Sequence, residues 1–205
     1  MRVCVHLQSW PHQAYSPLMT TPLDAEAVIA ATRDWVDKAV IGLNLCPFAK
    51  AVQVKGQVRY VVSGAADDDA LLRDLTAELE SLRDADPAEI DTTLLIHPHV
   101  LCDFLDYNAF LDVADAAVEA LGLEGMLQVA SFHPDYQFAG TAPDDIENFT
   151  NRSPYPTLHL LREASVERAV AAFPEAADIF ETNMRTLDKL GIAGWRALGL
   201  ALRAK

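Results

Sequence analysis

Three histidines and an aspartate follow two apolar runs of the sequence at points where the chain should turn. His97 and His99 come after one run, and His133 and Asp135 come after another. Imidazole nitrogens arranged in this way can ligate a divalent transition metal such as zinc, with Asp135 completing or orienting the set. Without a metal, His133 is a candidate general base, oriented by Asp135 or another carboxylate. The competing interpretation is structural, with each imidazole bonded to a loop carbonyl where its strand ends.

Cys46 is the other candidate catalytic group. A nucleophilic thiol needs a lowered pKa, usually supplied by a helix N-terminus or a neighbouring cation. Cys46 follows a predicted helix C-terminus, whose dipole disfavours the thiolate, so only Lys50 or a histidine brought close by folding could activate it. Leu45 and Phe48 flank the residue, which favours a buried structural cysteine as the alternative.

The segment NRSPYP, residues 151–156, has the most distinctive local chemistry. Its two prolines at alternate positions hold the backbone extended, which predicts a stiff display of the side chains between them. We expect this segment to bind an anionic small molecule, with Arg152 as the clamp. The side chains expected at this subsite are Asn151, Arg152, Ser153 and Tyr155. Alternatively, Arg152 pairs with an acid of the preceding loop (Asp144, Asp145 or Glu147) and only fastens that loop.

Four runs rich in β-branched and apolar residues predict the strands of the fold. They are Val58–Val62, Thr92–Ile96, Leu127–Phe132 and Thr157–Leu161. Helical spacing between them predicts an α/β (or α+β) domain, in which helices cover a small mixed sheet of about four strands. We expect three parallel strands, with the fourth antiparallel beside the third. Ligands of such sheets bind at the carboxyl ends of the parallel strands, where the histidines would meet the 151–156 segment. His159, in mid-strand, is predicted to serve core or sheet-face packing.

The totals suit one domain over residues 21–205, with residues 1–20 as a peripheral N-terminal extension and Thr21 as the cap of the first helix. Lys and Arg number 16 against 30 Asp and Glu, a net charge of −14, which argues against nucleic-acid binding. No apolar run approaches the ~20 residues that span a bilayer, so no membrane partner is expected. Three cysteines without C-x-x-C spacing indicate a reducing compartment, and we expect a cytoplasmic protein.

Two long motifs resemble a known family. They are VDKAVIGLNLCPFAKAV at 36–52 and FHPDYQF at 132–138, the latter continued by DDIENFTNRSPYPTLHLLRE at 144–163. Both resemble the family catalogued as "domain of unknown function 1415", and the resemblance extends from about Ala25 to Trp195. The resemblance implies membership of that family and no particular activity.

Two hypotheses from different classes follow. The first is an enzyme, a hydrolase or group-transfer enzyme with or without a metal, acting on an anionic small molecule at the strand-end loops. The second is a non-catalytic ligand-binding or protein-interaction module in which the histidines are structural. A wide separation of His97, His99 and His133 would argue against a shared metal. The sequence has no Gly-rich phosphate loop, so a nucleotide cofactor has no support.

Overall fold

The structure, a computed structural model, describes residues 24–172 and 179–200. The predicted extension at residues 1–20 and the predicted Thr21 cap lie outside these residues. Helix α1, Ala25–Trp35, begins at Asp24, whose side chain accepts the N–H of the second helical residue at 3.0 Å. The chain continues as a π-helical segment, Val36–Ile41, and then forms the short helix α2, Ala49–Val54.

The elements that follow alternate strand and helix, as the hydrophobic periodicity predicts. They are β1 (Val58–Val62), α3 (Asp68–Asp84), β2 (Thr92–Ile96), α4 (Phe104–Ala120), β3 (Leu127–Phe132), a 3-10 helix (Ile146–Thr150), β4 (Thr157–Arg162), α5 (Glu163–Ala172) and α6 (Ile179–Ala197). The predicted strands are confirmed, with β4 one residue longer than expected. No helix in the described ranges is both long and apolar enough to cross a membrane.

The strands are ordered β1-β2-β4-β3, and β1 and β2 form the parallel pair. Strand β4 pairs antiparallel with β2 on one side and with β3 on the other. The mixed α/β class is confirmed, and β4 lies antiparallel beside β3 as predicted. The predicted set of three parallel strands is wrong, because β4 also lies between β2 and β3 and leaves one parallel pair. Burial explains the order, because every β2 residue and three β4 residues (Thr157, Leu158 and Leu160) are buried. The edge strands instead carry exposed Arg59 and Gln128, as edges commonly do.

Helices pack on both faces of the sheet. Helices α3 and α4 cover one face with a leucine stripe and two aromatic rings: Leu71, Leu75, Leu79, Leu82, Tyr107 and Phe110. The other face meets α1, the π-helical segment and α6, through residues that include Trp35, Val36, Ala39, Leu187 and Trp195. The molecule therefore has three layers, with the sheet in the middle.

The strand register determines which residues lie at each of the two edges of the sheet that are formed by the strand ends. Ile96 of β2 and Phe132 of β3 both pair with Thr157, so these two strands end on either side of the start of β4. At the opposite edge, Leu161 of β4 pairs with the first residue of β2 and with Gln128. Residues after β2 and β3 therefore meet at one edge, and residues before β1 and β2 lie at the other.

Candidate functional site

The strand ends bring His97 and His133 against one aromatic ring. The centroid of Tyr107, from α4, lies 5.7 Å from that of His97 and 5.1 Å from that of His133. The backbone N–H of His97 donates to the carbonyl of Pro156 at 3.0 Å, and the backbone N–H of His133 donates to the carbonyl of Asn151 at 3.1 Å. Both imidazoles are buried. These two predicted residues are thus close together, although β4 separates their strands.

Both ring nitrogens of His133 are hydrogen-bonded to backbone. Nδ1 accepts the backbone N–H of Asp135 at 3.0 Å, so it carries no proton, and Nε2–H points to the carbonyl of Leu101 at 3.3 Å. Burial lowers the pKa of His133, against the opposing effects of the Leu101 bond and the Asp135 charge. A neutral ring held at both ends is typical of a structural histidine. The general-base role of His133 with Asp135 stays a prediction.

His97 is held at one end of its ring. Its Nδ1–H donates to the carbonyl of Val100 at 3.0 Å, and within the described residues its buried Nε2 has no hydrogen-bond partner. Burial lowers the pKa of His97 to about 4, and nearby His133 acts in the same direction. The ring is therefore neutral near pH 7.

The three histidines proposed as metal ligands are not assembled into a ligand set. His97 points inward and His99 is exposed, because the chain turns at Pro98, and both nitrogens of His133 are already bonded. Across residues 24–172 and 179–200, no group of three or more His, Cys, Asp or Glu side chains is placed to hold a metal ion. The arrangement thus gives no support to zinc at this edge.

Arg152 fastens the 133–156 loop. Its Nε donates to the carbonyl of Tyr136 at 3.2 Å and one terminal nitrogen donates to the carbonyl of Pro143. The guanidinium carbon lies 4.3 Å from the ring centroid of Phe149, a cation–π contact. Burial lowers the pKa of Arg152, while the charges of Asp135 and a second loop acid raise it. The loop-fastening alternative therefore fits these contacts, with carbonyl oxygens in the place of the expected carboxylates.

Two other residues predicted at the anion subsite bond to backbone through their side chains, whereas the Tyr155 hydroxyl makes no hydrogen bond within the described residues. Asn151 Nδ2 donates to the carbonyl of Ser131 at 3.1 Å, and the buried Ser153 hydroxyl donates to the carbonyl of Tyr155 at 2.7 Å. Asn148 was not predicted as a functional residue, and it is buried and holds the loop from inside. Its Oδ1 accepts from the N–H of Phe138 and from a threonine hydroxyl, and its Nδ2 donates to a carbonyl at 2.8 Å. The loop is thus filled by its own polar contacts.

A pocket of about 600 Å³ lies elsewhere, on the sheet face that carries α1. Its floor is the row of Leu94, His159 and Ala130, which are cross-strand neighbours on β2, β4 and β3. Its walls come from α1 and the π-helical segment, from residues 46–48 and α2, and from α5. We call it the sheet-face pocket. Its volume falls within the range of small-molecule sites.

Small side chains and an irregular helix leave this space open. Ala49, Ala130 and Ala169 face the pocket from three different elements, where larger residues would fill it. Val36 and Val40 line it from the π-helical segment, whose wider turn displaces the wall from ideal α geometry. Single π-helical turns inside α-helices occur frequently at functional sites.

His159 is the titratable residue on the pocket floor. Its Nε2 lies 2.7 Å from Oγ1 of Thr92, and that hydroxyl is 2.7 Å from the carbonyl of Leu160. A carbonyl can only accept, so the Thr92 proton goes to Leu160 and His159 Nε2 must donate to Thr92. Burial lowers the pKa of His159 to about 4. The ring is thus neutral with its proton on Nε2, which leaves an unprotonated Nδ1 in a residue that lines the pocket.

Cys46 lines this pocket on the sheet face, whereas His133 and Asp135 lie at the strand ends. Burial raises the pKa of its thiol, and the backbone N–H groups of Phe48 and Ala49 only partly oppose that effect. The thiol is therefore protonated near pH 7. This agrees with the structural interpretation, and the nucleophile hypothesis stays a prediction.

The open end of the pocket lies at the edge of the sheet where β1 and β2 begin. Lys55 and Arg168 lie there and are exposed. Arg168 donates to the hydroxyl of Ser165 at 2.9 Å, which donates to a carboxylate oxygen of Asp91 at 2.6 Å. Asp91 is thus hydrogen-bonded to Ser165 on the rim, and Lys55 and Arg168 are the two cations at the opening. This rim is opposite the edge where the sequence placed the site.

Comparisons with known proteins agree with the motifs. A family model described as "Protein of unknown function (DUF1415)" matches residues 27–197. A search of the curated proteins and a search of the solved structures returned no match. The matched range includes the π-helical segment, the sheet, the loop and all of α6.

Proposed function

The chain belongs to the family of proteins of unknown function DUF1415, and we propose that it binds a small, largely apolar molecule with an anionic group in the sheet-face pocket. The pocket itself carries the proposal: about 600 Å³ enclosed by apolar walls with a few convergent polar groups. Sites for small molecules have this composition, because apolar area supplies affinity and isolated polar groups fix orientation.

The anionic group is inferred from the charges at the opening. Lys55 and Arg168 stand at the rim of a chain whose net charge is −14, so this local excess of cations contrasts with the rest of the surface. Asp91 carries one negative charge among the described lining residues, so Lys55 and Arg168 leave the rim net positive. A ligand with its anionic group at the rim and its apolar body inside the pocket matches both the cations of the rim and the apolar walls.

Binding without catalysis is favoured by the state of the titratable groups. Cys46 is a thiol rather than a thiolate, and His133 and His97 have buried rings that bond to loop carbonyls. The sequence-based alternative, a ligand-binding module with structural histidines, agrees best with these contacts. An enzyme acting at the strand-end loops would need the 133–156 segment to release several of its own hydrogen bonds.

The test is titration with anilinonaphthalene sulfonate, an anionic aromatic dye that fluoresces in apolar sites. Ala130→Trp fills the pocket from its floor and Ala169→Trp from its α5 wall, and each should weaken binding at least about tenfold, a loss of about 1.4 kcal/mol. The matched control is Val113→Trp, on the outer side of α4 and 40% exposed, which should bind like wild type. Equal dye affinity in all four folded proteins would contradict the proposal.

A further inference from the structure

We propose that His159 determines which ligand the pocket accepts, by taking a hydrogen bond from a hydroxyl or amide N–H on the ligand's apolar body. This inference rests on the proposed function of the sheet-face pocket. It adds the chemical class of the ligand: an apolar molecule with a hydrogen-bond donor inside the pocket and an anionic group at the rim.

The acceptor is the Nδ1 atom of His159. Thr92 fixes the proton on Nε2, because the Thr92 hydroxyl itself donates to the Leu160 carbonyl. Within the described residues no donor bonds to Nδ1, and this atom is not among the buried polar atoms that lack a partner. Since His159 lines the pocket and is only partly buried, the Nδ1 lone pair is accessible there.

The surroundings of His159 leave room for a ligand and impose a geometry. Its cross-strand neighbour Ala130 has a small side chain, so the ring can be approached from the β3 side. The ring is held between Thr92 and the aromatic ring of Phe132, whose centroid is 6.0 Å away. A ring fixed on both sides accepts a hydrogen bond from a limited range of directions, which is the basis of specificity at a polar group.

This chemistry also sets the orientation of the ligand. An unprotonated Nδ1 repels carboxylate and ether oxygens, so the anionic end is disfavoured at His159 and favoured at Lys55 and Arg168. His159 and the edge residue Leu161 are two positions apart on β4, roughly 7 Å along the strand. The donor and the anionic group of the ligand are therefore separated by about the length of a fused aromatic ring pair or a short chain.

The test uses naphthoate, its ring-hydroxylated isomers with the hydroxyl on the ring remote from the carboxylate, and the matching methoxy compounds, which accept but cannot donate. At least one hydroxy isomer should bind wild type about 2- to 10-fold more tightly than naphthoate, as one net hydrogen bond provides. The methoxy compounds should gain nothing. In His159→Phe the ratio of hydroxynaphthoate to naphthoate affinity should fall to about one, while His159→Gln, which keeps an acceptor oxygen, should retain part of the preference.

Two outcomes distinguish a failure of the proposed pocket function from a failure of the proposed role of His159. If naphthoate and the sulfonate dye both fail to bind wild type, the pocket function and the role of His159 are overturned together. If naphthoate binds but no hydroxy isomer is preferred, or His159→Phe keeps the preference, the role of His159 is overturned and the pocket stands. The ¹⁵N spectrum of the imidazole supplies a second readout, independent of variants. The preferred isomer should shift the Nδ1 signal, and a proton found on Nδ1 in the free protein would contradict the inference.

Discussion

The Nε2 atom of His159 lies 2.7 Å from Oγ1 of Thr92, a hydrogen bond that joins β4 to β2 across the floor of the sheet-face pocket. Because the Thr92 proton is donated to a carbonyl, this contact fixes the tautomer of the histidine. A pair that ties two strands together thus also leaves an acceptor in the pocket. The favoured candidate site therefore lies on the face of the sheet, and not at the strand ends, where His97 and His133 bond to backbone.

Tyr107 is predicted to be the main polar support of the strand ends. Its buried hydroxyl donates to the carbonyl of Thr157 at 2.9 Å and accepts the N–H of Phe132 at 3.1 Å. Tyr107→Phe leaves both backbone groups without this partner, so the free energy of unfolding in urea should fall by about 2–4 kcal/mol. The control is Tyr155→Phe, whose hydroxyl makes no hydrogen bond within the described residues, and a loss below about 0.5 kcal/mol is expected. Equal losses would contradict the assignment.

Buried His97 should make stability depend on pH. Its pKa is lowered to about 4 in the folded chain against about 6.5 when unfolded, so only the unfolded chain binds the proton between these values. The free energy of unfolding contributed by His97 is thus complete above about pH 6.5. It is lost as the pH falls towards 4, by about 3 kcal/mol at most. His133 and Tyr107 are the titratable groups that face the ring.

The measurement is urea unfolding of wild type and His97→Phe across this pH range. Carboxylates and the other histidines titrate in both proteins, so the difference between the two curves isolates His97. The curve of the variant should be flatter. Parallel curves would show that His97 keeps an ordinary pKa in the folded protein.

Two arginines should separate loop stability from ligand binding. Arg152→Met removes two bonds to carbonyls and the contact with Phe149, so it should lower stability by about 2 kcal/mol and leave dye affinity unchanged. Arg168→Ala removes an exposed rim cation, so stability should hold while affinity for the anionic dye falls about two- to fivefold. The reverse pattern would restore Arg152 as the anion clamp.

Cys46 should react slowly and report on the pocket. Burial raises the pKa of its thiol, so alkylation at neutral pH should be slower than for a free thiol and should accelerate as the pH rises. The experiment uses a chain in which Cys4 and Cys102 are serine. Once alkylated by a phenylmaleimide, Cys46 should block dye binding, and naphthoate should protect it.

The control for this labelling retains Cys102 and replaces Cys46 by serine, since Cys102 belongs to the strand-end region and its Sγ lies 3.6 Å from the Pro98 carbonyl. Labelled Cys102 should leave dye binding intact. Fast alkylation of Cys46 at neutral pH would instead support the nucleophile hypothesis.

The strands were predictable because each is a short apolar run between turn residues, and the meeting of His97 and His133 was predictable from where two of those runs end. The strand order was not. Local sequence patterns do not indicate which strand lies between β2 and β3. The insertion of β4 there goes with the burial of β2 and β4, which depends on the packing of the whole sheet.

The sheet-face pocket could not be predicted from the sequence either. It depends on how far α1, the π-helical segment and α5 stand from the sheet, which is a property of packing rather than of spacing. One signal was available: His159 is a titratable residue inside an apolar strand, at an alternate position with Leu161. His159 was predicted to serve packing alone, because its small neighbour on β3, Ala130, is known only from the strand register.

The most direct test of the sheet-face pocket is to map bound naphthoate by the backbone amide spectrum of the isotope-labelled protein. The sheet-face pocket predicts that the largest shifts fall on Cys46, Ala130 and His159, and that the amide signals of His133 and Arg152 do not shift. Saturable shifts centred on His133 and Arg152, with Ala130 and His159 unmoved, would contradict it and return the site to the strand-end loops.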